Sequence, residues 1–190
     1  MSDPTRPDGP EIARRAVAMA LDAGATQAEA VVIDGHTALT RFANNELHQN
    51  VAEDDTVINL RVIEGPRIGV ASANRHDDAA LRRLAGSAGE TARRPPDQAG
   101  VHALPEPGPV TMRGGTWAST TADAGPELRA EMAGAVIAAA EGVGAQAFGL
   151  VETGAETVSV VNSLGIDVSE SRSRCHVLTV MMGPAGGTGY

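Results

Sequence analysis

Lysine is absent from this 190-residue chain, and all 15 basic residues are arginine. With many Ala and Gly, that reads as a compositional bias of the genome. Aromatic residues are scarce: Phe42, Trp117, Phe148 and Tyr190 are all of them. A core must therefore come from Val, Ile, Leu, Met and Ala. The formal charge is −9. An acidic chain with few aromatics lacks both the basic stripe and the stacking platforms that nucleic acids require. The arginine pairs 14–15, 82–83 and 93–94 read as solvated helix faces. Cys175 is the one cysteine, so no internal disulfide can form, which fits a reducing compartment. No apolar run approaches the roughly 20 residues that span a bilayer. The Asp- and Pro-rich start has no apolar segment and is not a signal peptide. The expected location is cytoplasmic, without membrane contact.

What is present suggests a soluble α+β protein. Residues 1–8 read as a disordered start. Gly9-Pro10-Glu11 opens a helix with Pro in its first turn, and Ile12, Ala16, Val17, Ala20 and Leu21 make its stripe. Gly24 stops it. A meander of four or five antiparallel strands follows. The expected strands are 28–33, turning at Asp34-Gly35, then 37–43, 46–51, 56–63 and 68–73. Asp77 or Asp78 caps a second helix, with Leu81, Leu84, Ala85 and Ala88 buried, which ends at Arg94-Pro95. Residues 95–124 are rich in Pro, Gly, Ser and Thr and read as a linker or functional loop that Trp117 pins down.

The pattern then restarts. Gly125-Pro126-Glu127 opens a helix with Leu128, Met132, Ala135, Val136 and Ala139 on its apolar face. Ala145-Gln-Ala147 echoes Ala28-Glu-Ala30, and Asn162-Ser-Leu164 echoes Asn45-Glu-Leu47. Val180…Gly183-Pro184…Gly187 echoes Val62…Gly65-Pro66…Gly69. The expected organisation is a duplicated helix-plus-meander unit. The first copy spans 9–94. The second, over 125–190, lacks a last strand and a closing helix. The expectation is the N-terminal region of a longer protein.

The stretch 40–50 is the candidate contact site. Asn44-Asn45 suits the tip of a β-hairpin, because Asn tolerates positive φ. Alternation then sets Phe42, Leu47 and Val51 on one side, and Arg41, Glu46, His48 and Asn50 on the other. Arg41, Asn44, Asn45, Glu46, His48 and Asn50 are thus the candidates for peptide or partner contact. Against that stands the plainer reading of an exposed polar sheet face. The histidines, at 36, 48, 76, 102 and 176, show no metal-ligand spacing. No catalytic or metal residue is assigned. Cys175-His176 falls on a strand, where neighbours point to opposite faces, and reads as a small buried thiol. The glycine run 183–189 lacks the Lys and Ser/Thr of a phosphate loop and reads as a turn.

Thr40-Arg-Phe-Ala-Asn-Asn-Glu-Leu-His-Gln-Asn50, with Val57–Gly65 and Gly69–Asn74, resembles the N-terminal region of the TldD/PmbA family. Asn162-Ser-Leu-Gly165 and Gly187-Thr-Gly189-Tyr190 sit where that family carries similar short motifs. The family comprises zinc metallopeptidases also labelled modulators of DNA gyrase. The resemblance implies an N-terminal α+β domain followed by a β-rich domain that carries a His-Glu-x-x-x-His zinc helix in the catalytic branch. The PmbA-like branch, which the Arg-Phe-Ala-Asn form favours, lacks that helix and pairs with a catalytic subunit. Zinc is then expected only in the C-terminal domain of a catalytic subunit, and none in this chain. The implied function is dimer assembly and access of unfolded or small peptides, in a homo- or heterodimer. The alternative is a non-catalytic partner or peptide-binding module without metal.

Overall fold

The structure, a computed structural model, describes residues 8–94, 103–109, 111 and 114–190. The expected disordered start, up to Pro7, lies outside these residues. So do His102 and about a third of the expected linker.

Helix α1 spans Gly9–Asp22; Asp8 caps it by accepting the Glu11 N–H at 3.1 Å. Strand β1 runs Gln27–Ala43, β2 runs Glu46–Glu64 and β3 runs Arg67–Ala73. Helix α2 follows over Asp78–Arg93, capped by Asp77, which accepts the Ala80 N–H. A single turn, α3 (Ser119–Ala122), leads to α4 (Pro126–Glu141). Strands β4 (Gln146–Asn162), β5 (Asp167–Met182) and β6 (Thr188–Gly189) follow. The six strands form one sheet in the order β3-β2-β1-β4-β5-β6. A helix and three strands therefore occur twice, and the strand order reads outward from the β1·β4 pair in both directions.

Two expected breaks are absent. Asp34-Gly35 does not turn, and β1 runs straight through it. Asp34 is buried and accepts the Thr56 hydroxyl at 2.8 Å, so its side chain is held across the strands. Gly35 has no positive φ. Residues 52–55 likewise continue β2. The first copy is thus three strands, two of them long, where four or five short ones were expected. The glycine nearby serves close approach instead: a Cβ at Gly154 would lie 2.7 Å from the His36 carbonyl oxygen.

Two compact units follow from these long strands. The first holds the described residues within Met1–Asp34, Asp55–Met112 and Thr157–Ser171. The second holds those within Gly35–Asp54, Arg113–Glu156 and Arg172–Tyr190. The β1–β2 hairpin tip, encoded by the first copy, belongs to the second unit. The β4–β5 tip, encoded by the second copy, belongs to the first.

In the first unit, Ile12, Ala13, Ala16, Val17 and Ala20 of α1 pack with Leu81, Leu84, Ala85, Ala88 and Ala92 of α2. Both lie over Ala28, Ala30, Val32, Ile58, Leu60, Val62 and Val161. Leu21, expected in the stripe, is exposed. Small residues let α2 approach closely. A Cβ at Gly69 would fall on the Ala88 carbonyl oxygen and within 2.5 Å of the Ala92 nitrogen. The expected linker also contributes here. Leu104 is buried, its N–H bonds Gln27 Oε1 at 2.8 Å, and the Pro105 carbonyl accepts from Asn162.

The second unit has a smaller core: Phe42, Ala133, Ile137, Ala140, Ala145, Ala147 and Val151, with Met132, Val136 and Met181 against it. The expected α4 stripe is rotated. Leu128, Ala135 and Ala139 face solvent, while Ala133, Ile137 and Ala140 are buried. This helix is apolar almost all round, so periodicity does not select its inner face. Arg129 is also buried; its Nη1 donates to the Ala124 carbonyl at 2.8 Å and to Thr153 Oγ1 at 2.9 Å. Trp117 is exposed. Its neighbours hold the crossing instead: the Ser173 N–H donates to the Thr116 carbonyl, and the Ala118 N–H to Ser173 Oγ.

Candidate functional site

The hairpin tip forms as the sequence predicts. Asn44 and Asn45 take positive φ, 53° and 63°, the left-handed region that Asn tolerates. The two residues then diverge. Asn44 points to solvent. Asn45 is half-buried and belongs to the framework of the second unit. Its Nδ2 donates to the Ala145 carbonyl at 3.1 Å, its Oδ1 accepts the Ala147 N–H at 2.6 Å, and its own N–H donates to the Ala147 carbonyl. A side-chain amide presents an NH2 donor group and an acceptor oxygen in fixed geometry. It therefore clips the tip to the start of β4.

Cross-strand bonds show a register one residue away from the expected one. Thr40 Oγ1 donates to Asn50 at 3.3 Å, and Arg41 donates to Gln49 at 3.2 Å. Further along, His36 Nδ1 meets Asp54 at 2.8 Å. A one-residue shift moves every side chain to the other face. Asn50 thus shares the side of Thr40 and Phe42, and Val51 falls with Arg41. The tight two-residue tip does not by itself dictate the register of the arms.

Only Phe42 of the expected apolar trio is buried. Leu47 is 47% exposed and Val51 40%. Every residue of Glu46–Asp55 is exposed, and no helix among the described residues covers this arm. Glu46 and His48 make no side-chain hydrogen bond or ion pair among the described residues. Among the described residues, Arg41 is engaged with Gln49 and Asn50 with Thr40. Strand β3 pairs with β2 only over Ile58–Glu64. The outer edge of β2 over 46–57 therefore meets no strand among the described residues. The site offers free backbone donors and acceptors beside exposed polar groups. It can hold an extended chain; it carries no arrangement for bond chemistry.

A second concavity lies over Gly154 in the second unit, lined by Thr37, Glu156, Arg172 and Arg174. Arg172 Nε donates to Glu156 at 2.6 Å and Arg174 to Glu152 at 2.8 Å. Each cation already faces a carboxylate, so no net charge is offered to an anion. Cys175 is exposed, contrary to the buried thiol expected. Gly183–Gly187 closes a turn, the Gly183 N–H bonding the Gly187 carbonyl at 2.8 Å. No three His, Cys, Asp or Glu side chains among the described residues come together as metal ligands. No helix among them is long and apolar enough to cross a membrane.

Sequence reasoning missed the structural duty of Asn45. The sequence echo pairs Asn45 with Asn162, which bonds the Pro105 carbonyl and the Leu164 and Ile166 N–H groups instead, so it did not signal this bond. The counterpart in space is Ser163: its hydroxyl accepts the Ala28 N–H at 3.1 Å, and its N–H donates to the Ala28 carbonyl at 2.8 Å.

Comparisons with known proteins agree with this architecture. Residues 28–92 match the family model described as PmbA/TldA metallopeptidase domain 1. No curated protein matches the sequence. Among solved structures, TldE from Thermococcus kodakarensis superposes with a TM-score of 0.82 at 17% identity, over 93% of this chain and 40% of that one. A proposed modulator of DNA gyrase from Thermotoga maritima gives 0.77 at 13% identity, over 94% and 40%. One from Bacteroides thetaiotaomicron gives 0.77 at 17%, over 94% and 42%. The chain thus spans about two-fifths of the length of the structures it resembles. At such identity the likeness shows the fold.

Proposed function

We propose, from the match of residues 28–92 to the first domain of the TldD/PmbA family, that this chain is the assembly and peptide-access domain of a TldD/PmbA-type peptidase subunit. The observation that carries the reading is the uncovered arm of β2 inside the matched segment. Its edge and both its faces are open over Glu46–Asp55. Extended peptides and partner strands are held by such edges through main-chain hydrogen bonds. Glu46 and His48 lie on the edge strand itself and Arg41 on its neighbour β1, and they would set preference among side chains.

Zinc is the metal the family name implies. The described residues do not fit it, since no three suitable ligands converge. No hydrolytic step is therefore derived from this chain. In this reading the metal and its ligands are supplied by another domain, in a homo- or heterodimer of family subunits.

The test is to mix the chain with zinc and an unfolded peptide, with and without a TldD-type subunit. The expected result is no turnover by the chain alone, and co-elution with the subunit. Robust hydrolysis by the chain alone would overturn the assignment. The free edge also favours a second reading, a peptide-binding module without metal. Binding of an unfolded peptide by the isolated chain, with no association to any family subunit, would favour that reading.

A further inference from the structure

The register of the outer strands aligns the two copies. Val62 pairs with Gly69 in the first, and Met181 pairs with Gly189 in the second. Val62 and Met181 each lie against the core of their own unit. Counting back by twos, Leu60 corresponds to Thr179 and Ile58 to Val177. The expected echo of Gly69 at Gly187 is thus displaced to Gly189, because the second turn is longer.

In the first unit, α2 covers this row. Ile58, Leu60 and Val62 are at most 1% exposed. Gly69 has no room for a Cβ because the α2 backbone lies on it at Ala88 and Ala92. In the second unit the same row is open. Val177 is 41% exposed, and Thr179 and Met181 are half-covered. Gly189 has nothing within 4 Å of a Cβ position. A glycine thus stands where helix closeness would require one, although no helix among the described residues lies there. The Thr179 hydroxyl already donates to the Phe148 carbonyl, so the row can be buried without stranding a polar group.

We infer that Val177, Thr179, Met181 and Gly189 form a seat for an amphipathic helix of α2 chemistry. Small residues four apart would lie on Gly189, and a leucine would cover Val177. We assign that helix to the same polypeptide in a longer form. The solved chains of this fold extend well past the portion this chain covers. In the first copy the covering helix follows its strand after only residues 74–77.

The test uses a single reporter thiol, Val177→Cys in a Cys175→Ser chain. A copy of residues 74–94 is appended after Tyr190, and thiol alkylation is timed with and without it. The expected result is alkylation slowed about tenfold or more by the appended helix. Gly189→Val should abolish that protection while leaving the unextended chain folded. Equal rates with and without the helix, or protection that survives Gly189→Val, would overturn the seat. The source is tested with the same reporter in the longer polypeptide. Protection in the monomer supports it. A gene that stops at Tyr190, or protection seen only on adding a second chain, overturns it.

Discussion

Val62 and Met181 hold matching places in two copies of one strand, yet one is sealed and the other half-open. Among the described residues, the first unit packs two helices on its strands, and the second packs one. The difference teaches that a repeated pattern of elements does not yield equal cores. Core size depends on how many faces each strand finds covered. A strand under two helices buries every inward residue, whereas a strand under one leaves its outer row wet. The exchange of hairpin tips adds a second lesson. Phe42, from the first copy, fills the smaller core, and Val161, from the second copy, fills the larger one.

That contrast can be broken most strongly at Phe42. It is the largest side chain in the smaller core, and its ring end lies 2.7 Å from where a Cβ on Gly149 would sit. Phe42→Ala should cost about 3–5 kcal/mol, and Val161→Ala about 2 kcal/mol. Urea titration gives both values. Hydrogen exchange should show Phe42→Ala loosening α4 and β4 before α1 and α2. Equal effects in both units would refute the separation of the cores.

The glycine pair comes next. Gly69→Val forces a branched side chain into the α2 backbone and should cost about 3 kcal/mol. Gly189→Val meets open space and should stay within about 0.5 kcal/mol. Thermal melts of the two variants side by side decide it.

The tip clips should differ more modestly. Asn45→Ala removes a bonded donor and acceptor and leaves positive φ to a residue that resists it, a cost of about 1–2 kcal/mol. Ser163→Ala loses one accepted bond but keeps its backbone pair with Ala28, about 1 kcal/mol. Denaturant midpoints would rank them.

The smallest contrast lies at the helix starts. Asp77 caps α2, and the Ala80 N–H hydrogen bond, aided by Arg75, holds its carboxyl below its ordinary 3.8. A depressed carboxylate stabilises the folded state fully above its unfolded value. That contribution fades as pH falls below about 3.8 and through the lower folded value. Helix α4 has Gly125 at its N-cap, which offers no side-chain cap. Asp77→Asn should therefore flatten the acid limb of stability in the first unit, while Gly125→Ser leaves that limb unchanged. Melts from pH 2 to pH 6 would show whether the slopes diverge.

Much of the fold was legible where one residue type has one physical use. Pro10 and Pro126 in first turns, Asp77 as a cap and the Asn44-Asn45 tip all appear as expected. So do the buried positions of α2, whose leucines and alanines recur at helical spacing. Other expectations failed because distant chain decides them. Asp34-Gly35 has turn chemistry, but Thr56 supplies a partner that keeps it extended. The inner face of α4 was illegible because alanine surrounds it. The Asn44-Asn45 hairpin was legible, but the facing of its arms was not. A one-residue register shift costs nothing that local sequence can sense.

By itself the sequence determined the helices and their starts, the hairpin tip, the repeat of a helix followed by strands, and an acidic, aromatic-poor composition. Those properties rest on backbone preference and composition, which act within a few residues. Only the tertiary structure decided the register of the hairpin, the split of Asn44 and Asn45 into exposed and structural roles, and the inequality of the two cores. Each depends on which surfaces meet, and the meeting partners lie tens of residues apart along the chain.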